Sequence, residues 1–143
     1  IPYGSIEPGG TTTPVLGAPS GTTTIQATGN VGIDQNLSGA DMCTYFTTPG
    51  SCWTKSSTST IGAEQQRFAT STITYDAATG LSHILSSTTP FELEVNVPKT
   101  TSTSTFASRE ISWGIAIPNT ITLSGSYSGQ NTFAAVQGEA QDW

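Results

Sequence analysis

The segment Phe91-Glu92-Leu93-Glu94-Val95-Asn96-Val97 alternates apolar and polar residues with period two, and Ile111, Trp113, Ile115 and Ile117 repeat the pattern up to Pro118. Successive side chains of a strand point to opposite faces, so each run predicts a strand with one buried and one wet face. A chain built on such runs must bury its apolar faces between sheets. Nothing competes for a helical solution: no window sustains i, i+3, i+4 apolar spacing, and Thr, Ser and Gly dominate. The one candidate for a short helix or turn is Ala63 to Arg67. Ser and Thr together supply 44 of 143 residues, hydroxyls that suit strand surfaces and loops. Further strands are predicted over Thr22 to Ala27, Val31 to Ile33, Arg67 to Tyr75, Leu81 to Leu85, and Tyr127 to Val136, the last anchored by Phe133 and Val136. Gly29-Asn30 and residues 76–80 carry turn chemistry, and Asp34 to about Gly62 reads as irregular. Seven to eight short strands with turns every 8–12 residues predict an all-β, antiparallel two-sheet sandwich.

The length fits one domain. Residues 1–21 differ from the body at 22–143: four prolines and several glycines prevent a helix and weaken a central strand, which predicts an extended N-terminal arm. A solvated linker has no need of apolar side chains, yet this arm carries Ile1, Tyr3, Ile6, Val15 and Leu16. Such an arm can become ordered by lying on another subunit. The chain starts at Ile1 and is read as a processed or trimmed form.

Net charge is −6, and the four basic residues Lys55, Arg67, Lys99 and Arg109 are scattered. No basic stripe exists to neutralise phosphates or an anionic membrane, so nucleic acid and membrane surfaces are excluded as partners. No apolar run approaches the ~18 residues of a membrane span.

Cys43 and Cys52 flank Pro49-Gly50, and an even cysteine count in a hydroxyl-rich chain predicts a disulfide and an oxidising compartment. A zinc site lacks ligands, since His83 is the single histidine. His83 with a serine makes no triad signature: Ser is everywhere and no G-x-S-x-G elbow occurs. Glu92 and Glu94 project from one strand face roughly 7 Å apart. That spacing is within the range of glycosidase carboxylate pairs, but one exposed strand supplies no cleft, and a solvated face is the better reading. Asp34, Asp41 and Asn36 do not match an EF-hand loop. Asn36-Leu37-Ser38 is a glycosylation sequon, and the Thr runs at 11–13, 22–24 and 100–105 are O-glycosylation candidates. Trp113 is expected in the core, Trp53 on the disulfide, and Trp143 docked on the body or a neighbour.

The segment Ile111-Ser-Trp-Gly-Ile-Ala-Ile-Pro118, then Gly125-Ser-Tyr127-Ser-Gly129, then Asn131 to Val136 resembles the final two strands of immunoglobulin-like sandwich modules in prokaryotic surface and pilus proteins. The resemblance covers less than a fifth of the chain. It implies an Ig-like sandwich, with Tyr127 tucking its hydroxyl against backbone at a sheet corner. The chain departs from type IV pilins, which begin with a long apolar helix, and from chaperone–usher pilins, whose cysteines lie farther apart.

The expectation is therefore a non-enzymatic structural subunit of an extracellular filament or cell-surface assembly, without cofactor or metal. Its partner is itself, as a homopolymer linked by strand donation from the arm, with surface glycans or a host surface as further partners. The alternative is a carbohydrate-binding or adhesive module, for which Tyr45, Phe46 and Trp53 are the best aromatic set.

Overall fold

A computed structural model describes residues 1–12, 21–47, 50–53, 55–72, 75 and 82–142. The described strands are β1 (Thr22–Gln26), β2 (Ile33–Gly39), β3 (Met42–Cys43), β4 (Phe46–Thr47), β5 (Ser51–Cys52), β6 (Thr60–Ile61), β7 (Gln66–Ala69), β8 (His83–Ile84), β9 (Phe91–Val97), β10 (Ser108–Ile115) and β11 (Asn131–Gln137). The only helical elements among the described residues are the single 3-10 turns Ala63–Gln65 and Ala140–Asp142. The chain is all-β. One antiparallel sheet has the order β1-β10-β7-β8, a second β11-β2-β9, and two ribbons pair β3 with β6 and β4 with β5.

The alternating runs place the core. Leu93, Val95 and Val97 of β9 are buried while Glu92, Glu94 and Asn96 are exposed. Ile111, Trp113 and Ile115 of β10 are buried, but so are Ser112 and Gly114 between them, so this stretch of β10, flanked by β1 and β7, lacks the wet face its alternation predicts. Leu37, Leu93, Val95 and Val97 from the three-stranded sheet share one cluster with Ile25, Phe68, Ile111 and Trp113 from the four-stranded sheet. Aromatic contacts span the layers: Trp113 meets Phe133 of β11 at 5.7 Å between centroids, and Phe68 meets Phe91 of β9 at 5.8 Å. The buried Trp113 indole N–H donates to Thr23 Oγ1 at 2.8 Å, so its polar atom is satisfied.

Several strand assignments differ from the sequence reading. Residues 34–39, placed in an irregular stretch, join Ile33 in β2, the central strand of the three-stranded sheet. Asp34 and Gln35 hid it, since both are polar yet buried. The register between β2 and β9 slips at this point, from Ile33↔Val97 to Gln35↔Leu93. Asn96 adopts φ 53° opposite the slip and donates its amide to Asp34 Oδ1 at 2.7 Å. A β-bulge thus shelters a carboxylate that a plain ladder would expel. The last strand begins at Asn131 rather than Tyr127, because Ser128 is held by two backbone hydrogen bonds to Cys43. Phe133 and Val136, three residues apart, face opposite sides of β11 and are not joint anchors; Phe133 remains 40% exposed. The strand expected from Arg67 ends at Ala69, and among the described residues of the one expected over Leu81 to Leu85, strand is formed at His83–Ile84. The predicted turn at 76–80, Leu81 and Trp143 lie outside the described residues.

Candidate functional site

Residues 1–12 lie on their own chain. Glu7-Pro8-Gly9-Gly10 is a tight turn, with Gly10 N–H donating to Glu7 O at 2.8 Å and Gly9 at φ +79°. Proline followed by a glycine of positive φ is the type II pattern. The turn splits the segment in two. Gly9 to Thr12 continue the sheet beside β10: Gly9 N–H donates to Ile117 O, Ile117 N–H to Gly10 O, and Thr12 N–H to Ile115 O, at 2.8–2.9 Å. Thr12 Oγ1 also accepts from Ile115 N–H at 2.8 Å.

Residues 1–6 enter a groove. Ile61, Ile115 and Ile121 form its buried floor, and Tyr3, Ile6, Met42, Ile117 and Tyr127 pack around them. Tyr3 touches both apolar clusters and so stands at the junction of the groove and the main core. Its hydroxyl donates to Gln66 Oε1 at 2.9 Å, an oxygen that also accepts from Asn131 Nδ2 at 2.9 Å. Gln66 is fully buried, so this three-residue polar clamp satisfies a group that would otherwise cost free energy inside the protein. Burial pushes the Tyr3 phenol well above its ordinary pKa, so it stays a donor. Tyr127 closes the far wall and donates its hydroxyl to Leu123 O at 2.7 Å. Ile1 is 38% exposed at the groove mouth, whereas Val15 and Leu16 lie outside the described residues.

A second surface lies on the cysteine loop. Cys43 of β3 and Cys52 of β5 are disulfide-bonded, with Cα atoms 5.9 Å apart. Trp53, expected to cover the bond, points to solvent instead and is 82% exposed; Tyr45 is 77% exposed. The pairing explains why: Phe46↔Cys52 and Thr47↔Ser51 are opposite each other, and Trp53 N–H donates to Tyr45 O at 3.1 Å. Side chains of directly opposed residues share a face. Since Cys52 must face inward to reach Cys43, its neighbour Trp53 must face outward with Tyr45, Thr47 and Ser51.

The remaining polar candidates are separate. Buried Asp34 and exposed Glu94 and Glu139 bring ligand-capable oxygens within 4.8 Å of one another, so they are the described residues best placed to hold a cation. Loss of water raises the Glu94 pKa, and the charges of Glu139, Asp34 and Glu92 raise it further. Burial pushes the Asp41 carboxyl up, but its bond to Lys55 at 2.7 Å, the Ala63 amide and the Lys55 charge together hold it below the usual range. His83 packs tilted against Phe91, centroids 4.1 Å apart, and burial lowers its pKa. Asn36 of the sequon lies within central β2, opposite Ala134 and Glu92. No described helix is long and apolar enough to cross a membrane. Comparison with known proteins finds no matching family model, no matching curated protein and no matching solved structure.

Proposed function

We propose that this chain is a structural subunit of an extracellular assembly, in which residues 1–12 of one copy occupy the groove of the next. The observation that carries the reading is a mismatch of lengths. Thr12 bonds to Ile115 and the Gly21 carbonyl accepts from Trp113 N–H, so both ends of the 13–20 connection are held by β10 two residues apart. Two residues of strand span about 7 Å. Nine Cα–Cα steps reach about 30 Å, roughly twice the radius of gyration (~14 Å) of a domain this size. A connection made only to close that gap needs far fewer residues, while one that carries the arm to a neighbour needs the surplus. Contacts that hold the arm are backbone bonds along an edge, apolar pockets and one polar clamp, the means by which a donated strand is recognised. Identical contacts are available in a second copy, because every acceptor residue belongs to the body.

The Ig-like reading has its own support. Numbering the seven longer-range strands A to G (β1, β2, β7, β8, β9, β10, β11), the pairs B–E and C–F of immunoglobulin sandwiches recur. The terminal strands trade places: the first strand and the arm run beside F, where the last strand of an Ig domain runs. The Tyr127–Leu123 bond supports the corner role. The disulfide is compatible with an oxidising, extracellular setting, and we assign no catalytic role.

Single-cysteine partners test this. Thr11 and Ala116 form an antiparallel bridge flanked by the Thr12–Ile115 and Ile117–Gly10 bonds. That is a non-hydrogen-bonded pair, with Cα atoms about 4.5 Å apart, inside disulfide range. Chains carrying Thr11→Cys alone are mixed with chains carrying Ala116→Cys alone, concentrated and oxidised. The expected product is a covalent one-to-one pair, read by non-reducing mass. If the double variant closes within one chain while the mixture never cross-links, the arm does not exchange and the reading is wrong.

A further inference from the structure

Two of the largest side chains in a chain poor in apolar residues stand in water side by side, and nothing in the assembly reading uses them. We infer that the outward face of the β4–β5 hairpin, formed by Tyr45, Trp53, Thr47 and Ser51, is a saccharide-binding platform for neutral β-linked glucan- or chitin-type chains.

The four residues form two opposed pairs. Tyr45 lies opposite Trp53, and one pair further on Thr47 lies opposite Ser51, with Thr47 Oγ1 to Ser51 Oγ at 3.4 Å. Two aromatic rings therefore adjoin two hydroxyls on one face. An open recess of about 500 Å³ is bounded by Tyr45, Phe46, Thr47 and Trp53, none of them charged. The nearest ionic groups on the loop, Asp41 and Lys55, neutralise each other at 2.7 Å. A second recess of about 450 Å³ begins at Gly50, Ser51 and Cys52 on the same hairpin and is lined further by Gln130, Thr132 and the Asp41–Lys55 ion pair.

The chemistry selects the ligand. Aromatic faces are electron-rich and accept polarised C–H groups. A pyranose whose ring substituents are all equatorial offers flat C–H faces to the rings and a rim of hydroxyls to Thr47, Ser51 and the polar recess. Tyr45, Phe46, Thr47 and Trp53 carry no charge, and Asp41 and Lys55 in the adjoining recess offset each other, which fits a neutral chain. The size fits as well: two rings bury at most about 150–250 Å² each, well under the ~800 Å² per partner of a stable protein interface. The Cys43–Cys52 bond fixes the hairpin in advance, which lowers the ordering cost of binding.

The test uses the whole chain and isothermal titration with cellohexaose and, separately, chitohexaose. At least one should bind. Trp53→Ala and Tyr45→Ala should each weaken it tenfold or more, and Trp53→Phe should retain most of the affinity because stacking survives. Circular dichroism and the thermal midpoint should stay unchanged in all three variants. The proposal is overturned if neither oligosaccharide binds at millimolar concentration, if binding is indifferent to Trp53→Ala, or if Trp53 governs only sedimentation with phosphatidylcholine vesicles. Arm exchange can succeed or fail independently of each of these results.

Discussion

Tyr3 and Tyr45 belong to the same residue type and have opposite fates. Tyr3 lies between two apolar clusters with its hydroxyl bonded to buried Gln66, while Tyr45 stands 77% exposed beside Trp53. The groove is assembled from distant segments: residues 1–6, β6, β10 and Ile117 just beyond it. The hairpin is local, made within ten residues and fixed by one covalent bond. The arm site is therefore only as stable as the body that forms it, whereas the hairpin draws its order from a cross-link. The groove hides its aromatic, and the hairpin displays its own to solvent.

The largest expected effect breaks the groove and spares the hairpin. Ile115→Ala removes a buried side chain beneath Tyr3 and Ile6 and should cost about 2–5 kcal/mol in urea unfolding. Hydrogen exchange should accelerate at Gly9 and Thr12 before it changes at Trp53. Replacing both cysteines by Ser should do the converse, costing roughly 2.5 kcal/mol by the chain-entropy rule and loosening Thr47 to Trp53 while the Gly9–Thr12 ladder stays protected. Tyr3→Phe should cost about 1 kcal/mol through the lost hydrogen bond; Tyr45→Phe should fall within about 0.5 kcal/mol of wild type. Equal losses for these two would erase the contrast.

The smallest effect is a control on acid, since neither site contains the Asp34–Glu94–Glu139 cluster. Glu94 titrates above the ordinary glutamate value in the folded chain. A carboxyl with a raised folded pKa stabilises fully below its unfolded pKa, and that stability is lost as pH rises through the folded pKa. Glu94→Gln should therefore flatten this part of the stability–pH profile, read by thermal unfolding. Asp41, held low by Lys55, works in the opposite sense: its contribution is present above its unfolded pKa and is lost as pH falls through the folded one.

The legibility of these features in the sequence followed how locally each was encoded. β9 and β10 announced themselves because alternation is a local signal. β2 did not, because its inward residues include Gln35 and its buried Asp34 depends on a bulge in another strand. The disulfide was readable from count and turn chemistry, yet the outward direction of Trp53 needed the Phe46↔Cys52 register. Ile1, Tyr3 and Ile6 stood out as apolar residues with something to cover. That they cover their own body in the single chain depends on the Ile115 to Ile117 edge, more than a hundred residues away.

The long connection between Thr12 and Gly21 has a kinetic meaning. A tethered segment competes for its own site at an effective concentration set by the length of its link, in the millimolar range for short ones. On the proposed linkage, dilute copies would be self-capped and would stay unlinked until crowding overcomes the tether. In that reading the number of residues between Thr12 and Gly21 would also set the concentration below which the chain can be made, moved and stored without sticking to itself.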